Sequence, residues 1–164
     1  VTGISTAGFA QKSISSKLII SPTIKVLCDN SFVSNSILAL ALPDSVTSIG
    51  STSFTGNSIS TLNIPGSVET IGQNAFNSNN ISKLTLNEGI KTLNNNCFGN
   101  NAFKSVNLPD SLTTVDNVLS GTPVATLNTG GGFKITFSTF SGIKSTLKNL
   151  TIGSDTLQTE QVID

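Results

Sequence analysis

The side chains that could do chemistry in this chain are its acids, two cysteines, nine lysines and a glycine run, because it has no His, Arg, Trp, Tyr or Met. Without His, the usual general base and metal ligand is missing. Asp44, Glu88 and Asp110 stand at multiples of 22 residues from one another, but the equivalent place between Asp44 and Glu88 is Gly66. A hard cation needs six to eight oxygens around one point, so these acids read as a solvated turn. Gly130-Gly131-Gly132 could cradle a phosphate, but no Lys-Ser/Thr pair and helix follow it. The sequence therefore predicts no catalytic constellation, no metal and no cofactor.

What must position any functional side chain is a cassette of 22 residues. Ile20 recurs as Leu42, Ile64, Leu86 and Leu108, and Ile24 as Val46, Val68, Ile90 and Leu112. The same step relates Leu27, Ile49, Ile71, Leu93 and, after it, Val115, and also Phe32, Phe54, Phe76 and Phe98. Ile37, Ile59, Ile81 and Phe103 form another column, as do Leu40, Leu62, Leu84 and Val106. A period of this size means a stacked solenoid, in which each copy buries its apolar side against its neighbours. The fold expected is a mainly β repeat solenoid, a stack of about six rungs with a parallel sheet of short strands.

The register extends upstream through Val1, Ile4, Phe9 and Ile14 with one extra residue, and downstream through Leu119, Val124 and Leu127 with one missing. The phase predicts that Val1 is a boundary or processing site inside a longer array. Residues 1–128 form the solenoid, 129–151 a degenerate repeat in which 133–137 alternate like an edge strand, and 152–164 an acidic cap or connecting tail.

Within the copy 64–85, alternation from Lys83 to Leu86 signals a half-buried strand. Pro65-Gly66 turns the chain, and Ser67 to Ile71 makes a second short extended piece. The column of Cys28, Gly50, Gly72, Asn94 and Asp116 suggests a turn with positive φ. Gln73 to Phe76 fits a single helical or 3-10 turn. Three residues past each Phe stands Asn35, Asn57, Asn79 or Asn101. This column predicts an asparagine ladder whose amides satisfy backbone groups of the turns.

Cys28 and Cys97 sit three rungs apart, on the order of 14 Å at ~4.8 Å per strand, which predicts two free thiols. Only 11% of residues are charged, at formal net charge zero, while Ser, Thr and Asn total 63. With no Arg and no basic run there is little to neutralise phosphates, which argues against nucleic acid. No apolar run is long enough for membrane insertion. The exposed strand positions form two columns, and the candidate binding residues on this face are Thr61, Asn63, Lys83, Thr85, Ser105 and Asn107. Its N-terminal end, with Ile19, Ala39 and Ala41, is more apolar.

The string from Leu42 to Phe54, its copy from Ile64-Pro65 through Val68, Ile71-Gly72 and Ala75-Phe76, and Leu108 to Val115 resemble the BspA-like leucine-rich repeats of bacterial surface proteins. Two departures stand out: Asn replaces the usual Cys after the Ala-Phe pair, and each repeat is one residue shorter. The resemblance implies a secreted or cell-surface protein. It would act as a non-catalytic adhesion module that binds a protein or cell-surface ligand through its concave strand face. The alternative is a structural spacer that holds another domain away from the cell. The sequons at Asn80-Ile81-Ser82 and Asn149-Leu150-Thr151 carry no meaning in a bacterial protein.

Overall fold

The computed structural model describes residues 2–130, 139–153 and 155–158. In chain order the strands are β1 (Gly3–Ile4), β2 (Ser15–Ile19), β3 (Val26–Leu27), β4 (Ser36–Ala41), β5 (Ser48–Ile49), β6 (Thr61–Ile64) and β7 (Thr70–Ile71). They continue as β8 (Lys83–Leu86), β9 (Thr92–Leu93), β10 (Ser105–Leu108), β11 (Thr114–Val115), β12 (Thr126–Thr129), β13 (Asn149–Ile152) and β14 (Asp155–Gln158). Each rung contributes one short strand and one longer strand, and the same columns pair from rung to rung: Ile49 with Ile71, Ile64 with Leu86. The chain is a mainly β parallel solenoid.

The core explains the period. Leu27, Ile37, Val46, Ile59, Ile71, Ile81 and Leu93 are all at most 1% exposed, and Leu27, Ile49, Ile71 and Leu93 pair in register from rung to rung. Phe9, Phe32, Phe54, Phe76 and Phe98 stack nearly parallel with ring centroids 5.2 to 5.8 Å apart. Each buried ring contributes roughly 2 kcal/mol from area alone, and stacking adds to it.

The parallel sheet expected over 37–42, 59–64, 81–86 and 103–108 is present but interrupted, and the continuous sheet runs through the other strand of each rung. The short strands form an unbroken six-stranded parallel sheet, β1-β3-β5-β7-β9-β11. The longer strands split into β2-β4, β6-β8 and β10-β12-β13-β14. At both breaks the inward leucines in or just after the preceding strand (Leu40 and Leu42, then Leu84 and Leu86) are half-buried, while Leu62, Ile64, Val106 and Leu108 are buried. The last sheet ends in β14, which pairs antiparallel with β13. The expected edge strand over 133–137 and the end of the tail, 159–164, lie outside the described residues.

The segment around each Phe is not a helical or 3-10 turn; among the described residues the 3-10 geometry is confined to Ser141–Ile143. Two left-handed residues per rung interrupt it: Asn30 and Ser34, Thr52 and Gly56, Asn74 and Ser78, Asn96 and Asn100, all with φ between 52° and 68°. Alternate N–H groups then point along the stack. Thr52 N donates to Gln73 O at 2.8 Å, Phe54 N to Ala75 O at 2.8 Å, and Gly56 N to Asn77 O at 3.1 Å. The left-handed conformation costs a non-glycine residue about 1–2 kcal/mol, least for Asn, and these inter-rung bonds hold it in place.

Gly50 and Gly72 are not the positive-φ positions. A Cβ on Gly72 would lie 2.5 Å from Ser51 N and 2.6 Å from Gly50 C, and one on Gly50 would lie 2.6 Å from Asp29 N. These glycines let successive backbones touch. At the N-terminal end an apolar hollow of about 520 Å³ is lined by Ile4, Phe9, Ile14, Leu18, Ile20 and Ile24. Phe9 is 45% exposed there.

Candidate functional site

Two sets of residues singled out by the sequence end up in different environments. Asn35, Asn57, Asn79 and Asn101 are inside, 5 to 7% exposed. Asn79 shows the geometry. Its Nδ2 donates to Phe54 O of the preceding rung at 2.9 Å and to Phe76 O of its own at 3.2 Å, and its Oδ1 accepts from Ile59 N at 3.1 Å. Asn101 repeats this with Phe76 O, Phe98 O and Ile81 N. Asn57 does so with Phe32 O, Phe54 O and Ile37 N. Asn35 accepts two N–H groups, from Lys12 and Ile14. Each amide thus joins the carbonyl of one rung to that of the next and captures the N–H entering the preceding longer strand. Thr122, in the same column, reaches only Leu119 O of its own rung at 2.6 Å.

The second set is outside. Thr61, Asn63, Lys83, Thr85, Ser105 and Asn107 are all exposed. Thr61 lies beside Lys83 and Asn63 beside Thr85, while Ser105 and Asn107 pair with Thr126 and Asn128. The break between β8 and β10 divides these six into two groups. Amides link across the face: Asn87 Nδ2 donates to Asn63 Oδ1 at 3.0 Å, and Asn128 Nδ2 to Asn107 Oδ1 at 2.8 Å. The face offers neutral donors and acceptors with one lysine among the six. Towards the N-terminus it becomes apolar, with Ile19 at 67% exposure and Leu38 at 54%.

The acids of the turn column are exposed. Glu88 is used locally: its two carboxylate oxygens accept Asp110 N and Ser111 N, each at 3.0 Å. The Asp110 backbone N–H, against an opposing desolvation and with Ser111 assisting, holds the Glu88 carboxyl below its ordinary value. Both cysteines are free; Cys97 is buried, and that burial pushes its thiol up, away from the reactive thiolate.

One polar column has no counterpart in the sequence reading. Asn30, Thr52, Asn74 and Asn96 occupy the first left-handed position of each rung. Thr52 Oγ1 bonds Asn30 Oδ1, and Asn96 Nδ2 donates to Asn74 Oδ1 at 3.0 Å. The available signal was Asn at three of four equivalent places, a residue that tolerates the left-handed region.

A family model described as the BspA type leucine rich repeat region matches residues 2–119 in 6 copies. Among solved structures, that of the pneumococcal vaccine antigen PcpA superposes with a TM-score of 0.70 at 17% identity. The match covers 96% of this chain and 40% of that one, so the chain spans well under half of that structure's length. A leucine-rich repeat protein from Bacteroides ovatus ATCC 8483 matches at 21% identity with a TM-score of 0.45, over 82% of this chain and 48% of that one. No curated protein matches the chain.

Proposed function

Because this chain belongs to the BspA-type leucine-rich repeat family, we propose that it is a non-catalytic binding module of a cell-surface or secreted protein, engaging a protein or cell-surface ligand through its longer-strand face. The observation that carries this reading is the contrast between the two polar sets. The interior column is consumed by backbone hydrogen bonds, whereas Thr61, Asn63, Lys83, Thr85, Ser105 and Asn107 stand exposed on strands the repeat holds at fixed spacing. A solenoid offers such columns as an extended surface for partners. The description of the structural neighbour as a vaccine antigen supports a surface location.

The experiment replaces Thr61, Lys83 and Asn107 together by Glu and measures attachment to cells or matrix. Loss of attachment with an unchanged melting transition supports the face; unchanged attachment overturns it. The second reading is a spacer, favoured by the unbroken six-stranded sheet along the stack. It predicts that shortening the array by one rung lowers attachment while the triple substitution does not.

A further inference from the structure

The longer-strand face is neutral at its centre, but its charges separate to its two edges. Lys104, Ala125 and Lys148 are one column, because Ala125 N donates to Lys104 O at 2.8 Å and Lys148 N to Ala125 O at 2.9 Å. Two strand spacings of ~4.8 Å place the Cα atoms of Lys104 and Lys148 roughly 10 Å apart. Lys83 sits one rung earlier and one residue further along its strand, since Ser82, not Lys83, is in the Lys104 column. All three lysines are exposed, and no described carboxylate pairs with them. The Lys91–Glu69 pair, at 3.0 Å, lies at the entry to the short strands instead. Asp44, Glu88 and Asp110 follow the far ends of β4, β8 and β10. Across a four-residue strand that is on the order of 13 Å, more than the ~8 Å screening length at physiological salt.

We propose that this lysine edge binds an acidic polysaccharide laid along the solenoid axis, with Lys83, Lys104 and Lys148 each meeting a carboxylate of the chain. The proposal rests on the binding reading of the same face and names its ligand. Charge sets the sign of the ligand: three unpaired cations in a strip parallel to the stack fit an anionic chain running across the strands. The neighbouring outward positions decide its class. Thr85, Ser105, Asn107, Thr126 and Asn128 present hydroxyls and amides. No aromatic or large aliphatic side chain stands among them to anchor a protein partner. A hydroxyl-rich chain can exchange hydrogen bonds with such a surface without needing an apolar anchor.

The test titrates the chain with polygalacturonate, neutral dextran and poly-L-glutamate at 50 and 150 mM NaCl, beside the variant Lys104→Gln/Lys148→Gln and the control Lys25→Gln. The expected result is binding of polygalacturonate that weakens with salt, and at least tenfold weaker binding of dextran and poly-L-glutamate. The double variant should lose about tenfold while Lys25→Gln loses none. Equal affinity of the double variant, or equal binding of poly-L-glutamate, overturns the proposal. Attachment abolished by Thr61→Glu/Lys83→Glu/Asn107→Glu but untouched by Lys104→Gln/Lys148→Gln also overturns it while leaving the face reading standing. Loss of attachment in neither variant sinks both. These are surface substitutions, and an unchanged thermal transition confirms that the fold is retained.

Discussion

Asn79→Ala tests the ladder most directly, because the groups it leaves behind can be counted. Phe54 O and Phe76 O each keep a second donor, from Asn57 Nδ2 at 3.0 Å and from Asn101 Nδ2 at 3.0 Å. Ile59 N is different: Asn79 Oδ1 is its acceptor, and Ile59 is fully buried. Asn77 O, a weak third acceptor of Asn79 Nδ2 at 3.4 Å, keeps Gly56 N. An orphaned buried N–H costs about 1–3 kcal/mol, and the lost donations to the carbonyls add roughly 1 kcal/mol net. The expected destabilisation is therefore about 2–4 kcal/mol, read as a fall in the urea midpoint of unfolding. Asn79→Asp separates the two ends of the amide. It keeps an acceptor for Ile59 N but turns a second oxygen towards Phe54 O and Phe76 O, so the charged form is disfavoured and the folded-state pKa rises. A raised carboxyl pKa means that the folded state holds more protons than the unfolded one. Stability of Asn79→Asp relative to the parent should then fall as pH rises from the unfolded pKa, near 4, through the folded value. A loss below about 0.5 kcal/mol for Asn79→Ala is the range of ordinary surface changes and would refute the reasoning, as would a pH-independent deficit for Asn79→Asp.

Phe76 stacks between Phe54 and Phe98 at 5.2 and 5.8 Å, whereas Phe9 stacks on Phe32 alone and is 45% exposed. Phe76→Ala should cost about 3–5 kcal/mol and Phe9→Ala clearly less; equal shifts in melting temperature would contradict nearest-neighbour coupling of rungs. Glu88, held below its ordinary pKa by the Asp110 and Ser111 N–H groups, contributes stability that is present above the unfolded pKa and is lost as pH falls through the folded one. Glu88→Gln should accordingly melt below the parent at neutral pH and converge with it in acid, and a gap that persists in acid would exclude the carboxylate clamp.

The residue columns were legible in the sequence because a repeat applies one constraint many times. A register error would expose Leu27, Ile49, Ile71 and Leu93 together, so the period alone identifies what stacks on what. It also placed Asn35, Asn57, Asn79 and Asn101 in a column between buried Phe and buried Ile, though their bonding partners are read from coordinates. Backbone choices that depend on contact between rungs were not legible. Gln73 to Phe76 closes one local turn, Ala75 N to Gly72 O at 3.2 Å, but its other N–H groups go to carbonyls about 21 residues away, Asn74 N to Asn95 O at 3.1 Å and Phe76 N to Cys97 O at 2.8 Å. Likewise Gly72 looks like a residue chosen for φ until the backbone of Ser51 is found where its Cβ would be. The break between β8 and β10, and the strip formed by Lys83, Lys104 and Lys148, arise in the same way. The sequence by itself determined the repeating core, since burial depends on hydrophobic spacing along the chain. Only the tertiary structure decided the turns, the continuous sheet and the charged edge, since hydrogen bonds and charges act across rungs, between residues the sequence holds far apart.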